Sequence, residues 1–182
     1  GRKNYFGYDY ITARLNTSWK KNFTYGRMEA RIKLPVGGQG IWPAFWMLGQ
    51  NYEWVGWPMC GELDILEAIN DLSLVYGTIH YGTAHHNGGA HYPGVNLSDD
   101  YHIYAVEWDT YEIRWYFDNV NYHTDWGTWW TPAADYPAPF NAPFFFILNL
   151  AIGGDWPGYP DGSTPFPQTM YIDYVRAYEW RQ

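Results

Sequence analysis

Met28-Glu29-Ala30-Arg31-Ile32-Lys33-Leu34 alternates apolar and charged side chains with a period of two and stops at Pro35. That period fits a strand with one face buried and one wet, and proline has no N–H with which to continue a ladder. The segment therefore predicts an antiparallel sheet. Strand signals recur at residues 8–16, 44–48, 62–69, 75–81, 101–108, 112–117, 144–152 and 170–180, most of them rich in Tyr, Trp, Phe, Val and Ile. Helical periodicity hardly appears. Val36-Gly37-Gly38-Gln39-Gly40, Asn87-Gly88-Gly89 and Asp118-Asn119 read as turns, and Asp109-Thr110-Tyr111 as a tight hairpin link. Many strands at short spacing predict an all-β sandwich or barrel, and the absence of a repeat argues against a propeller or β-helix. Residues 128–143 and 153–167 hold four prolines each, too many for central strands, and read as long loops of the kind that rim a cleft.

The 182 residues fit one domain, and no break in composition suggests a second. A net charge of −8 with only 11 Lys and Arg excludes a nucleic-acid or anionic-membrane partner on electrostatic grounds. The 12 Trp, 18 Tyr and 9 Phe are more rings than a core needs. Each ring is either core or part of an exposed platform, and Trp, apolar in the body and polar at one edge, suits half-wet surfaces such as those that grip sugars. Cys60 stands alone, so no intrachain disulfide forms, and it reads as a small buried residue rather than a reactive thiol. No run of 18 apolar residues occurs, and Gly1-Arg2-Lys3-Asn4 opens no signal peptide. The expectation is a soluble chain from which any targeting segment is already missing.

Glu62-Leu63-Asp64-Ile65-Leu66-Glu67 carries the chemistry. In a regular strand Glu62 and Asp64 share a face, while Glu67 falls on the opposite one. One inserted residue, a β-bulge, would return Glu67 to the acidic face. Three carboxylates cannot lie together in a core unless each is solvated, paired or protonated, so they belong in a cleft or on an exposed strand edge. With the bulge absorbing one residue, Glu62 and Glu67 lie about 13 Å apart at Cα. Side chains that lean together can close this to the ~5–5.5 Å carboxyl separation of retaining glycosidases. Asp64 between them would raise the proton affinity of both.

The same residues resemble glycoside hydrolase family 16, whose bulged E-x-D-x-x-E signature is found in laminarinases, agarases and carrageenases. The resemblance extends through residues 24–35, 40–48, 77–80, 148–154 and 172–178, which is nearly the whole chain. It implies a β-jelly roll, two bent antiparallel sheets with a substrate cleft across one. It also implies Glu62 as nucleophile, Glu67 as acid/base and Asp64 as electrostatic helper, an order of roles that spacing alone does not give. By the same resemblance Trp46, Trp57, His80, Asn149 and Trp156 contact the sugar. Arg27 either joins them or is paired on the surface. A structural calcium would fall at Asp173, which is otherwise an ordinary solvated residue; no other cofactor is required.

Relatives begin several strands before residues 7–14, so the resemblance implies uncovered sheet edges. Either an N-terminal portion was removed or left out, or a second copy or altered packing covers the gap, which makes self-association an expectation. The expected activity is secreted, retaining, endo-acting cleavage of β-1,3-glucan, with mixed-linkage β-1,3-1,4-glucan as a second substrate. Residues 54–70 contain no Lys or Arg, which favours a neutral glucan over a sulfated galactan of the agarase or carrageenase type. The competing class is a non-catalytic glucan-binding module.

Overall fold

The computed structural model describes residues 1–180. The alternating segment becomes β4 (Gly26–Lys33), with Met28, Ala30 and Ile32 fully buried. It pairs with β9 (His102–Trp108), placing Met28 opposite Val106 and Ala30 opposite Tyr104. Around this pair stand β10 (Glu112–Phe117), β11 (Val120–Trp126) and β13 (Tyr171–Tyr178), in the order β11-β10-β9-β4-β13. A second sheet contains β3 (Arg14–Asn16), β5 (Ile41–Gly49), β6 (Glu62–Glu67), β7 (Val75–Tyr81), β8 (His85–His91) and β12 (Phe144–Ile152), in the order β3-β12-β5-β6-β7-β8. β1 (Arg2–Tyr5) and β2 (Tyr8–Ile11) form a separate ribbon. Every strand pair is antiparallel.

The main core lies between the two large sheets. Trp108, Trp115, Tyr104 and Ile113 of the five-stranded sheet meet Phe45, Met47, Leu63, Ile65, Leu66, Ile79 and Phe146 of the six-stranded one. This is the all-β sandwich that the strand pattern predicts, in the jelly-roll form that the resemblance implies. Two local expectations change, and one strand, β11, is added to those expected. The segment 8–16 divides between two sheets, with β2 in the ribbon and β3 at the edge of the six-stranded sheet. Asn87-Gly88-Gly89 lies within β8, where small residues let that strand pass close to β7: a Cβ on Gly88 would strike the Gly77 carbonyl. β11 follows the Asp118-Asn119 turn, whose residues both have positive φ, +46° and +66°, as a tight hairpin requires.

One side of the sandwich is open. A hollow of about 380 Å³ between the edge strands β3 and β13 is lined by Leu15, Leu148, Leu150, Met170 and Ile172.

Candidate active site

The predicted bulge is present in β6. On β5, Leu48 faces Glu62 and Ala44 faces Glu67. On β7, His80 faces Glu62 and Tyr76 faces Glu67. Both neighbours thus advance four residues while β6 advances five, and the register breaks after Asp64. Leu63, Ile65 and Leu66 are all buried in the core, so the two consecutive side chains at the bulge point inward and Glu67 is returned to the face of Glu62 and Asp64.

A bulge interrupts the ladder, and the opposite sheet answers it here. The indole Nε1 of Trp115 on β10 donates to the backbone carbonyl of Asp64 at 2.7 Å, across the core. Room for that indole comes from Gly77 on β7, where an added Cβ would collide with the Trp115 ring. The acidic face of one sheet is therefore braced by the other.

Each acid has its own surroundings. Glu62 Oε2 accepts from the Trp57 indole at 3.1 Å, and Glu67 Oε1 from the Trp42 indole at 2.9 Å. Asp64 is 3% exposed, and its Oδ2 has no hydrogen-bond partner. His80 Nε2 stands 3.4 Å from that Oδ2 and 3.7 Å from Glu62 Oε1. Burial, and then the charge of Asp64, push the Glu62 carboxyl up to about 8, against opposition from His80 and the Trp57 N–H. Burial also raises Asp64, followed by the charge of Glu67. Glu67 is raised by burial too, with the Trp42 N–H and His80 opposing. Burial and crowding thus raise the proton affinity of all three acids, the direction a general acid needs.

The groove runs across the strands of the six-stranded sheet with the acids at its middle. One half, about 460 Å³, is lined by Arg14 of β3, Asn149 and Ala151 of β12, and Trp42 and Trp46 of β5. The other, about 550 Å³, is lined by Tyr76, Thr78 and His80 of β7, His86 of β8, and Trp57 and Trp156. Trp42, Glu62 and Glu67 border both halves. Trp46 Nε1 donates to Asn149 Oδ1 at 2.7 Å, which fixes the ring's edge where it lines the groove. Trp156 reaches in from the proline-rich loop 153–167 and packs edge-on against Trp42 and Tyr76.

Trp57 is held by its loop. Leu48, Cys60, Phe145 and Ile147 form a second apolar cluster, with Tyr52 and Val55 of the short helix α1 (Tyr52–Val55) packed on it. The Cys60 thiol is buried, and that burial together with the charge of Glu62 pushes it up to about 11. It is a packing residue, as its lone occurrence suggests.

Of the residues singled out from sequence, Glu62, Asp64, Glu67, Trp46, Trp57, His80, Asn149 and Trp156 all come together in this groove. Arg27 does not. It lies on β4, where it donates to Glu29, Glu107 and Asn119 at 2.9, 3.1 and 2.9 Å; three acceptors for one guanidinium leave it a structural ion-pair residue of the other sheet. Asp173 is paired with Arg31 at 2.8 Å. That guanidinium competes with any cation for the same carboxylate. Trp42, Arg14, Tyr76, His86 and Trp115 escaped the sequence reading. Trp42 was visible as the residue two before Ala44 on a strand of alternating faces, but the other four depend on which strands become neighbours.

A profile described as glycosyl hydrolases family 16 matches residues 6–176. The chain is 39% identical to the clotting factor G alpha subunit of Tachypleus tridentatus over 98% of its own length and 26% of that protein. It is also 39% identical to a beta-glucanase of Rhodothermus marinus, covering 97% of this chain and 65% of the relative. The chain thus spans less than two thirds of either curated relative. The laminarinase catalytic domain of Thermotoga maritima MSB8 superposes with a TM-score of 0.85 at 47% identity, covering 96% of this chain and 72% of that one.

Proposed function

The chain belongs to glycosyl hydrolases family 16, and on that premise we propose that it cleaves β-1,3-glucan internally, with retention of configuration, outside the cell. The observation that carries this reading is the placement of Glu62 and Glu67 on one face of β6, at the border of two hollows. A groove with room for sugars on both sides of the acids suits cleavage within a chain rather than at its end.

In the proposed reaction Glu62 attacks the anomeric carbon while Glu67 gives its proton to the departing glycosidic oxygen, releasing the first product and leaving a sugar esterified to Glu62. Glu67, now a carboxylate, takes a proton from water, and the resulting hydroxide displaces Glu62. The Trp57 and Trp42 indoles orient the two acids. Asp64 sits between them without a donor of its own, so its negative field discourages ionisation of its neighbours and keeps a proton available to Glu67. Glu62 must be ionised to attack, and positive charge growing on the sugar ring favours that form once substrate replaces water.

Arg14 is the single Lys or Arg among the described residues lining the two hollows, and it stacks over Trp46 at 4.8 Å. One stacked guanidinium is a poor match for a regularly sulfated polymer and suits a neutral glucan, including mixed-linkage β-1,3-1,4-glucan. The exposed crevice between β3 and β13 supports self-association through that edge. A panel of laminarin, lichenan, agarose and carrageenan with product sizing tests the substrate: mixed short oligosaccharides from laminarin are expected. Exclusive release of a single terminal product, or cleavage of a galactan instead, would overturn the reading.

A further inference from the structure

Glu62, Asp64 and His80 each offer one ligand atom, and those atoms lie within 4.8 Å of one another. His80 Nε2 is 3.4 Å from Asp64 Oδ2 and 3.7 Å from Glu62 Oε1. A tetrahedral ion bound at about 2.0–2.2 Å separates its nitrogen and oxygen ligands by about 3.3–3.6 Å. The two edges from His80 thus lie in that range or 0.1 Å beyond it, and a small side-chain turn brings the two carboxylates, already within 4.8 Å of each other, to the third. A second observation points the same way: Asp64 Oδ2, on a residue 3% exposed, has no hydrogen-bond donor. Two clustered carboxylates and an unsatisfied buried oxygen are costly in a half-dry groove, and a divalent cation removes both costs at once.

We infer that Glu62, Asp64 and His80 form a three-ligand site for a borderline divalent cation of the Zn²⁺ type, and that its occupancy shuts off the groove. Glu62 Oε2 keeps its hydrogen bond to Trp57 while Oε1 turns to the ion. The fourth ligand position faces the groove and takes water. An imidazole with only two carboxylates selects Zn²⁺ or Cu²⁺ over Ca²⁺ and Mg²⁺, which demand more oxygens. The ion has no part in the proposed cleavage; it occupies the oxygen that would attack the sugar. Binding itself is independent of the proposed function, and only the inhibition rests on it.

Calorimetric titration of the whole chain with ZnCl₂, and the visible spectrum after Co²⁺ addition, test the site directly. One binding event and intense tetrahedral Co²⁺ bands are expected. His80→Gln and Asp64→Asn should each weaken Zn²⁺ binding by about tenfold or more, while His102→Gln, whose ring pairs with Asp118 on the other sheet, should leave it unchanged. Should Asp64→Asn fail to fold, as judged by its melting curve, Glu62→Gln serves in its place. Zn²⁺ should inhibit laminarin cleavage competitively and reversibly on EDTA addition, with Mg²⁺ and Ca²⁺ inert. No binding up to about 1 mM, unchanged affinity in folded His80→Gln, or loss of affinity in His102→Gln would overturn the site. Binding that depends on His80 in a chain inactive on every glucan would uphold the site and sink the proposed function; laminarin cleavage without Zn²⁺ binding would do the reverse.

Discussion

Glu62 and Glu67 are five residues apart on their own strand but stand four apart against both neighbours, between Leu48 and Ala44 on one side and His80 and Tyr76 on the other. The odd count would send them to opposite faces; the extra residue brings them back together. The position of the acids is thus a property of the backbone, and the backbone is where the account can be tested first.

Deleting Ile65 removes the extra residue and leaves Glu62, Asp64 and the second glutamate at regular alternation. The deletion variant should fold with a loss of about 2–4 kcal/mol, from the buried side chain it sacrifices, and should still cleave laminarin within about 100-fold of the parent. Chemical denaturation and initial rates measure both. A folded variant with no activity would mean that the bulge does more than restore the face.

Trp115 does not touch the groove, yet its indole holds the Asp64 carbonyl at the bulge. Trp115→Phe should cost about 1–3 kcal/mol by orphaning that carbonyl and should lower kcat with KM nearly unchanged. Gly77→Ala, which pushes the same indole aside, should resemble it. A rise in KM alone in either variant would contradict a bracing role.

The acids should destabilise the fold at neutral pH. Glu62 is pushed up to about 8 in the folded chain from an ordinary 4.5, so the native state binds more protons than the unfolded one between these values. Stability from this group is complete below about pH 4.5 and is lost as pH rises through about 8. Glu62→Gln removes the penalty. The variant should melt higher than the parent at pH 8, by an amount corresponding to about 1–3 kcal/mol, and the gap should close at pH 4. A parent that outlasts the variant at pH 8 would contradict the crowding.

Trp46 lines the groove beside the Arg14 guanidinium, with its edge tied to Asn149. Trp46→Ala should raise KM for laminarin about tenfold while kcat changes less, as expected for binding shared by ground and transition states. An effect confined to kcat would place Trp46 in the chemistry rather than in sugar binding.

The sequence carried the acidic face well because strand alternation is local: the pattern of apolar Leu63, Ile65 and Leu66 against Glu62, Asp64 and Glu67 admits a bulge and little else. The same logic located β4, β7, β10 and β12. It failed where the signal is not local. β8 is glycine-rich because it packs closely on β7, and in isolation those glycines read as a turn. Arg27 alternates like a groove residue, but its strand joins the other sheet, and no pattern within residues 24–35 says which sheet that is. Arg14 and His86 enter the groove from the outermost strands, β3 and β8, so their place depends on the whole strand order.

The most direct measurement is to trap the glycosyl-enzyme with a 2-deoxy-2-fluoro laminaribiosyl fluoride and locate the sugar by peptide mass mapping. The account predicts one label per chain, on Glu62, with Glu67 unmodified and the sugar hydrolysed off Glu62 in ordinary turnover appearing initially as the β-anomer. A label on Glu67, or no label together with an initial α-anomer, would contradict it.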